Sequence, residues 1–170
     1  MNAHVLKKFD EGTGWYMGFA GPVQLVYIDD RMTDASFRAY LAALERDIDG
    51  RSMNANVGIY YHVMAPQIFD STRRREIAGV LAPRKAKLQI CTAGYAAFTP
   101  TVLGRGVLTA VFWLAPPPYP TRVVSGPEEG MRFLAERNAN IDVASASTAH
   151  ELAWARFSTG AAHRGGARRA

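Results

Sequence analysis

The residues of this chain that could perform nucleophilic catalysis are His62, Asp70 and Ser71. A serine hydrolase needs these residue types within direct hydrogen-bonding reach of one another. His62 would then have to lie at the carboxyl end of its strand, beside Asp70 and Ser71. No Gly-x-Ser-x-Gly turn supports such an enzyme. The sequence therefore predicts a protein without catalytic residues, in which His62 is a hydrogen-bonded histidine of the core.

The cysteine and glycine patterns give no signal for a metal or a cofactor. Cys91 is a lone cysteine, so neither an internal disulfide nor a zinc site built on several cysteines can form. It falls in a predicted buried strand over residues 87–93, where a free cysteine is usually an inert apolar residue. The Gly104-Arg105-Gly106 segment lacks the spacing of a dinucleotide fingerprint, and no P-loop motif occurs. We expect no cofactor, and we expect these glycines to allow close packing, with phosphate binding as the alternative.

The Asp70-Ser71-Thr72 segment has two interpretations. As the start of a helix, its side chains can accept hydrogen bonds from free backbone N–H groups, which stabilises a helix by about 1 kcal/mol. Alternatively, Thr72 or Ser71 is phosphorylated, because a phosphate is favoured at a helix N-terminus and arginines follow within one turn. Those arginines are Arg73, Arg74 and Arg75, and they span too much of a helical turn to face one ligand together. We interpret them as a solvated face, with an acidic partner or a phosphate as the alternative.

The positive charge of the chain is concentrated near its C-terminus. The formal net charge is +5. From residue 156 onward there are four arginines and no acidic residue, so the preceding 155 residues hold 16 basic and 15 acidic groups. The nearly neutral globule argues against a nucleic-acid binder. Residues 160–170 are predicted to be a disordered, solubilising tail, with weak attachment to an acidic partner as the alternative.

Several features of the sequence indicate a cytoplasmic protein. Its longest apolar run, residues 107–115, is far shorter than the ~20 residues of a membrane-spanning helix. The first ten residues do not resemble a secretory signal, because no apolar stretch follows Lys7 and Lys8. The lone cysteine fits a reducing compartment. We therefore expect a cytoplasmic location and no membrane span.

The elements that position these residues are predicted from hydrophobic periodicity and turn residues. Gly21-Pro22 separates two runs rich in aromatic and β-branched residues, which indicates a β-hairpin over residues 14–28. Thr33 and Gly50 are typical of the cap and the stop of an amphipathic helix. Further strands are predicted at 56–65, 87–93 and 119–124. Further helices are predicted to begin at residues 70–72, to span 101–114, and to run from a capping box at 125–128 to about residue 137, with a weak helix at 150–157.

The order of these elements predicts an α/β fold. Strands that alternate with helices of about 10–15 residues imply right-handed crossovers and a mixed, mostly parallel sheet. The N-terminal hairpin adds an antiparallel edge. We divide the chain into an N-terminal extension (1–14), an α/β domain (15–138), and a C-terminal helix with a basic flexible tail (139–170).

Three segments resemble the SpoIIAA-like, STAS-related family of bacterial anti-sigma-factor antagonists. Asp70-Ser71-Thr72 resembles the Asp-Ser-Ser-Gly stretch that opens a helix after the central strand. Residues 104–114 resemble a helix of bacterial members, and residues 123–125 with 128–134 resemble their closing strand and helix. The resemblance covers residues 15–138 and implies a STAS fold and a non-enzymatic regulatory role. It places Thr72 at the position that a partner kinase phosphorylates, with Arg73 where the antagonists have glycine.

These observations predict a regulatory or protein-interaction module that binds an unidentified protein partner and self-associates. The expected surface combines the helix start with an aromatic corner, and its residues are Asp70, Arg73, Arg74, Arg105, Phe112, Trp113 and Tyr119. The alternative is a domain that binds a small apolar ligand or lipid, since the wider group resembles the SEC14-like lipid-binding domains. Such a domain would need an apolar pocket between the sheet and the helix at 101–114.

Overall fold

A computed structural model describes residues 5–114 and 116–165 of the chain. These residues form a six-stranded sheet in which the strands lie side by side in their order along the chain. The strands are β1 (Leu6–Gly12), β2 (Trp15–Ala20), β3 (Val23–Ile28), β4 (Val57–Val63), β5 (Thr92–Phe98) and β6 (Thr121–Val124). β1, β2 and β3 pair antiparallel, and β3 to β6 pair in parallel. The predicted α/β class, with a mostly parallel sheet and an N-terminal antiparallel hairpin, is confirmed.

The helices of the described residues connect or follow these strands. They are α1 (Asp34–Gly50), α2 (Ser71–Leu81), α3 (Lys85–Cys91), α4 (Val102–Leu114), α5 (Pro127–Ala135) and α6 (Val143–Gly165). α1 begins as predicted, because the Thr33 side chain accepts a hydrogen bond from the Ser36 backbone N–H and the Ser36 hydroxyl accepts one from the Thr33 N–H. α2 is capped by Asp70, which accepts a hydrogen bond from the Arg73 N–H.

The sheet separates two helical layers. Successive side chains of a strand point to opposite faces, and β4 shows this clearly. Tyr61 belongs to a hydrophobic core on the face covered by α1, whereas Tyr60 belongs to the core under α5 and α6. α2 and α3 pack on the first of these cores through Ile77 and Leu88. A fully buried β4 between two layers explains why its sequence is a nearly continuous apolar run.

The predicted strand at 87–93 is wrong. Residues 85–91 form α3, and β5 begins one residue after it, at Thr92. The segment alternates in a way that also fits a helix, because Leu88 and Cys91 lie three residues apart and both are buried. Lys85, Lys87 and Gln89 are good helix formers and occupy the more exposed positions. Cys91 is buried as expected, but at the end of this helix and not within a strand.

Strand β1 is absent from the prediction, which has no strand before residue 14. It pairs with β2 and lies at the edge of the sheet. Most of its side chains are exposed, among them Lys7 and Lys8. An exposed edge strand needs no alternation of apolar and polar residues, and lysines there discourage pairing with other chains. Its sequence therefore carries no periodic signal.

Two boundaries near the C-terminal part of the chain also differ. α6 starts at Val143 and continues to Gly165, so it is much longer than the helix predicted at 150–157 and includes part of the predicted tail. The rest of that tail lies outside the described residues. The predicted capping box is shifted: Gly126 is the N-cap of α5, and Glu129 rather than Glu128 accepts hydrogen bonds from the Ser125 N–H and hydroxyl. Pro127, as the first helical residue, sets this register.

Candidate ligand-binding cavity

A cavity of about 530 Å³ lies between the sheet and the layer formed by α1 to α4. Its floor consists of residues from β3, β4 and β5, and its walls come from the four helices and from the proline segment that follows α4. Pockets of about 300–1,000 Å³ are typical of small-molecule sites. The apolar side chains that line it are Leu44, Ile48, Ile59, Val63, Phe69, Ile77, Leu81, Leu88, Val107, Leu108, Val111 and Phe112.

The sequence leaves this space open because α2 and α4 do not pack tightly on the sheet. None of the described residues of α2 is fully buried, although Ile77 and Leu81 face the core. Under them, β5 contributes Ala97, whose side chain is too small to fill the gap. α4 faces the cavity with Leu108, Val111 and Phe112, and these are only half-buried. Exposed lining residues such as Ala78 and Ala82 show that the cavity opens to solvent beside α2.

A buried polar cluster forms part of the cavity wall. The Gln24 Nε2 donates to Asp47 Oδ2 at 2.9 Å, and the Arg51 Nη2 donates to the same oxygen at 2.6 Å and to Gln24 Oε1 at 2.7 Å. The side chains of Asp47 and Arg51 are only 3% and 4% exposed. The Nε and Nη1 of Arg51 have no hydrogen-bond partner among the described residues. Because Gln24 and Arg51 both line the cavity, this cluster gives an otherwise apolar space a polar end.

Four tyrosines surround the same region. The Tyr40 and Tyr61 hydroxyls are 2.5 Å apart and share a hydrogen bond. The ring of Tyr61 packs 5.0 Å from that of Tyr95, which lies 6.1 Å from the ring of Tyr119. Burial raises the pKa of Tyr119 to about 12, against a lowering effect of the Arg51 charge. Burial likewise raises the pKa of Tyr40, Tyr61 and Tyr95. All four are neutral phenols at ordinary pH and so can donate a hydrogen bond.

The electrostatic character of the cavity is positive. Arg74 and Lys85 line it and are exposed, so they lie toward its mouth. The lining residues that the structure describes include Arg51 as a third cation and no aspartate or glutamate. Asp47 lies behind Arg51 and neutralises one of these three charges. The remaining positive charge favours an anionic or electron-rich ligand group.

The three consecutive arginines of α2 point in different directions. Arg73 donates to Asp34 Oδ1 at 2.8 Å, and its guanidinium lies 5.1 Å from the centre of the Phe37 ring. Arg74 lines the cavity, and Arg75 is exposed without lining it. Arg73 therefore stabilises the packing of α2 against α1. The exposed Ser71 and Thr72 lie in the first turn of α2, so their hydroxyls are accessible.

The predicted interaction surface divides into two parts. Arg105 folds back on its own helix start and donates to the carbonyls of Thr99 and Pro100, both at 3.2 Å. Phe112 and Tyr119 belong to the cavity. Trp113, in contrast, is 88% exposed. Gly104 permits the close packing that was predicted, because a Cβ there would lie 2.7 Å from the Thr101 Oγ1, whereas Gly106 has open space around it.

His62 lies on the opposite face of the sheet from the cavity. It stacks on Trp154 of α6 with ring centres 4.0 Å apart, and its Nδ1 has no hydrogen-bond partner in the described part of the chain. The prediction of a buried histidine holds, but its expected hydrogen bond at Nδ1 is missing. His150 packs beside it and lies 2.9 Å from the Tyr27 hydroxyl. α2, which begins at Ser71, packs on the other face of the sheet through Ile77.

The sequence analysis missed the residues that make the cavity polar, namely Gln24, Asp47 and Arg51. A signal was present for Asp47. It lies three residues after Leu44 and one before Ile48, so it falls on the inward stripe of α1 together with Tyr40. A carboxylate on the buried stripe of a helix requires a partner, and Arg51, the residue that follows α1, supplies it.

Comparisons of the chain with protein-family models, with curated proteins and with solved structures find no match. Within residues 5–114 and 116–165, no helix combines the length and the apolar composition that crossing a bilayer requires.

Proposed function

We propose that this protein is a non-catalytic binding domain that holds a small apolar or amphiphilic ligand in the cavity between the sheet and α1 to α4. The observation that carries the proposal is the cavity itself: about 530 Å³, mostly apolar, with a polar end made by Arg51 and Gln24. An apolar site with a few placed polar groups is the usual form of a small-molecule site. The cavity lies against α4, as the apolar-ligand alternative from the sequence requires.

Binding is driven by transfer of hydrocarbon from water into the cavity. Each buried methylene contributes roughly 0.8 kcal/mol, which corresponds to about a fourfold gain in affinity. A series of unbranched primary alcohols, with a neutral environment-sensitive dye as the displaced probe, measures this gain directly. We expect affinity to rise about fourfold per methylene until the chain fills the cavity, and then to level off.

A matched pair of variants locates the binding site. Leu108→Trp places a large ring in the cavity wall, whereas Leu152→Trp makes the same change at an exposed position of α6 outside the cavity. We expect Leu108→Trp to weaken dye binding at least about tenfold, since it removes part of the volume, and Leu152→Trp to leave it unchanged. Equal binding by both variants and the unmodified chain would contradict the proposal.

A second proposal, that the protein is a regulatory interaction module of STAS type, is supported by the outer face of α4. Val102 and Trp113 are 78% and 88% exposed, and their spacing of 11 residues places them on one side of the helix. Leu103, also exposed, adjoins them. Exposed apolar patches commonly mark protein-binding surfaces. α4 thus presents apolar residues both to the cavity and to solvent, so a partner on its outer face could respond to occupancy of the cavity.

Self-association through α4 is tested by size-exclusion chromatography with light scattering. The full chain, a Trp113→Ser variant and a form truncated after Thr159 are compared. We expect the full chain and the truncated form to assemble and Trp113→Ser to be monomeric. A monomeric full chain would contradict self-association and would leave a different protein as the partner. The lone, buried Cys91 supports a cytoplasmic site of action for either role.

A further inference from the structure

We infer that the ligand carries a carboxylate, and that Arg51 binds this group at the inner, polar end of the cavity while an unbranched hydrocarbon chain fills the rest. The inference rests on the proposed binding function and specifies its ligand class. Its recognition element is a buried guanidinium with free donors, and three observations support it.

The first observation is the incomplete hydrogen bonding of Arg51. A guanidinium has five N–H groups. The two on Nη2 donate to Asp47 and Gln24, which leaves three N–H groups, on Nε and Nη1, without a partner among the described residues. The side chain is 96% buried, because only 4% of it is exposed. Buried polar groups are nearly always hydrogen-bonded. Neither nitrogen is exposed to solvent, so an acceptor in the cavity reaches these donors once the Arg51 guanidinium turns toward the cavity that it lines.

The second observation is the arrangement of charge. Asp47 neutralises the charge of Arg51, whose Nη2 donates to the Asp47 Oδ2, but it leaves the remaining N–H groups of Arg51 without a partner among the described residues. Arg74 and Lys85 add two further positive charges toward the mouth, and the described lining contains no carboxylate. An incoming anion therefore meets a positive field along its path. A single negative charge is well matched to this setting, because a dianionic phosphate would lie close to Asp47.

The third observation is the surrounding of Arg51. Tyr119 lies near enough for the Arg51 charge to affect its pKa, and Tyr95 packs against Tyr119. Both are neutral phenols that line the cavity and can donate to a carboxylate oxygen. Beyond them the walls consist of Leu44, Ile48 and Leu88, which suit a hydrocarbon chain. A single-chain fatty acid combines both properties.

The test compares dodecanoic acid with dodecan-1-ol and methyl dodecanoate as competitors of the neutral dye, at pH 7.5 and below their aggregation concentrations. Hydrogen bonds to charged groups contribute enough that we expect the acid to bind about 10- to 100-fold more tightly than the alcohol or the ester. This comparison uses the unmodified chain, so it does not depend on the folding of any variant. Dodecyl phosphate is included to distinguish a carboxylate from a phosphate head group.

Variants then assign the preference to a residue. Arg51→Gln keeps a hydrogen-bonding side chain and is expected to bring the acid and the alcohol within about threefold of each other. Arg75→Gln, at an exposed position outside the cavity, is the matched control and should keep the full preference. Arg74→Gln tests whether the positive charge at the mouth of the cavity contributes to the preference for the acid.

Equal binding of acid, alcohol and ester by the unmodified chain would overturn the inference while leaving the binding function intact. The inference would also be overturned, with the binding function intact, if the preference for the acid over the alcohol survived in Arg51→Gln and disappeared in Arg74→Gln. The carboxylate would then lie at the mouth of the cavity. Tighter binding of dodecyl phosphate than of the acid would overturn the choice of a carboxylate. Failure of the dye and of all competitors to bind would instead contradict the proposed function.

Discussion

Two buried histidines, His62 beneath α6 and His150 on α6 itself, make the stability of this protein depend on pH. Burial lowers the pKa of His62 to about 3, with a smaller contribution from the neighbouring His150, and burial lowers the pKa of His150 to about 4. The ordinary value is 6.5. In the unfolded chain both histidines therefore take up protons at a higher pH than in the folded protein. Stability is highest above pH 6.5 and falls as the pH drops toward 4, because the unfolded state binds more protons in that range.

The size of this effect follows from the pKa differences. One pKa unit corresponds to about 1.4 kcal/mol for each group. Between pH 7 and pH 5 the unfolded chain becomes almost fully protonated at both histidines while the folded protein stays almost unprotonated. The free energy of unfolding is then expected to fall by about 2 kcal/mol for each histidine, or about 4 kcal/mol in total. A domain of ordinary stability has about 5–15 kcal/mol, so the loss is large enough to measure.

Urea denaturation at pH 7, 6 and 5 measures the loss. His62→Phe keeps an aromatic ring against Trp154 and removes one titrating group, so it should reduce the fall between pH 7 and 5 to about 2 kcal/mol. His62→Phe combined with His150→Phe should nearly abolish it. The carboxylates whose pKa is lowered, such as Glu129 beside Ser125, lose their contribution only below this range. A free energy of unfolding that is constant between pH 7 and 5, or an unchanged slope in His62→Phe, would refute the reasoning.

The remaining predictions concern stability and are checked by urea denaturation at pH 7.5. Gly130→Ala should destabilise the protein by about 1–3 kcal/mol, because a Cβ there would lie 2.8 Å from the Tyr60 ring. Gly79→Ala, which meets open space in a helix, should stabilise it by about 0.5–1 kcal/mol, and a loss there would count against the packing described for α2. Asp47→Ala should cost about 3–5 kcal/mol, since it leaves a buried guanidinium without its counter-charge, and a change below 1 kcal/mol would contradict the buried pair. Trp113→Ser should change the free energy of unfolding of the monomer, measured at a protein concentration too low for assembly, by less than about 0.5 kcal/mol, because the side chain is almost fully exposed.

The sequence predicted those elements whose signals are local. Thr33 and Ser36 determine where α1 begins, and Gly21-Pro22 determines the hairpin, because caps and turns depend on a few adjacent residues. α3 was assigned incorrectly because its seven residues are too few for periodicity to distinguish a short helix from a buried strand. Edge strand β1 has no periodic signal, since its two apolar side chains, Leu6 and Phe9, are three residues apart and the other side chains are charged.

The candidate site could be predicted only in part, because it depends on distances between elements. The alternative of an apolar pocket beside α4 followed from the family resemblance, but nothing local shows that α2 packs loosely or that Ala97 leaves a gap beneath it. Arg51 pairs with Gln24 across 27 residues of sequence. This pairing becomes visible only when the three-dimensional arrangement of β3 and α1 is known. Asp47 falls on the buried side of α1, but its partner Arg51 lies just beyond the helix, where helical periodicity gives no signal.

The order of the strands also affects how the chain can fold. Each strand of the sheet lies beside the strand that precedes it in sequence, so each can add to an existing edge, closing only the loop that connects it. The entropic penalty of closing a loop rises only slowly with its length, so the helical crossovers between the parallel strands can also close one after another. The contact between Tyr27 and His150 is different, because it joins residues 123 positions apart. We expect the sheet to grow strand by strand from the hairpin and α6 to dock last, which would make its release the lowest-energy partial unfolding of the molecule.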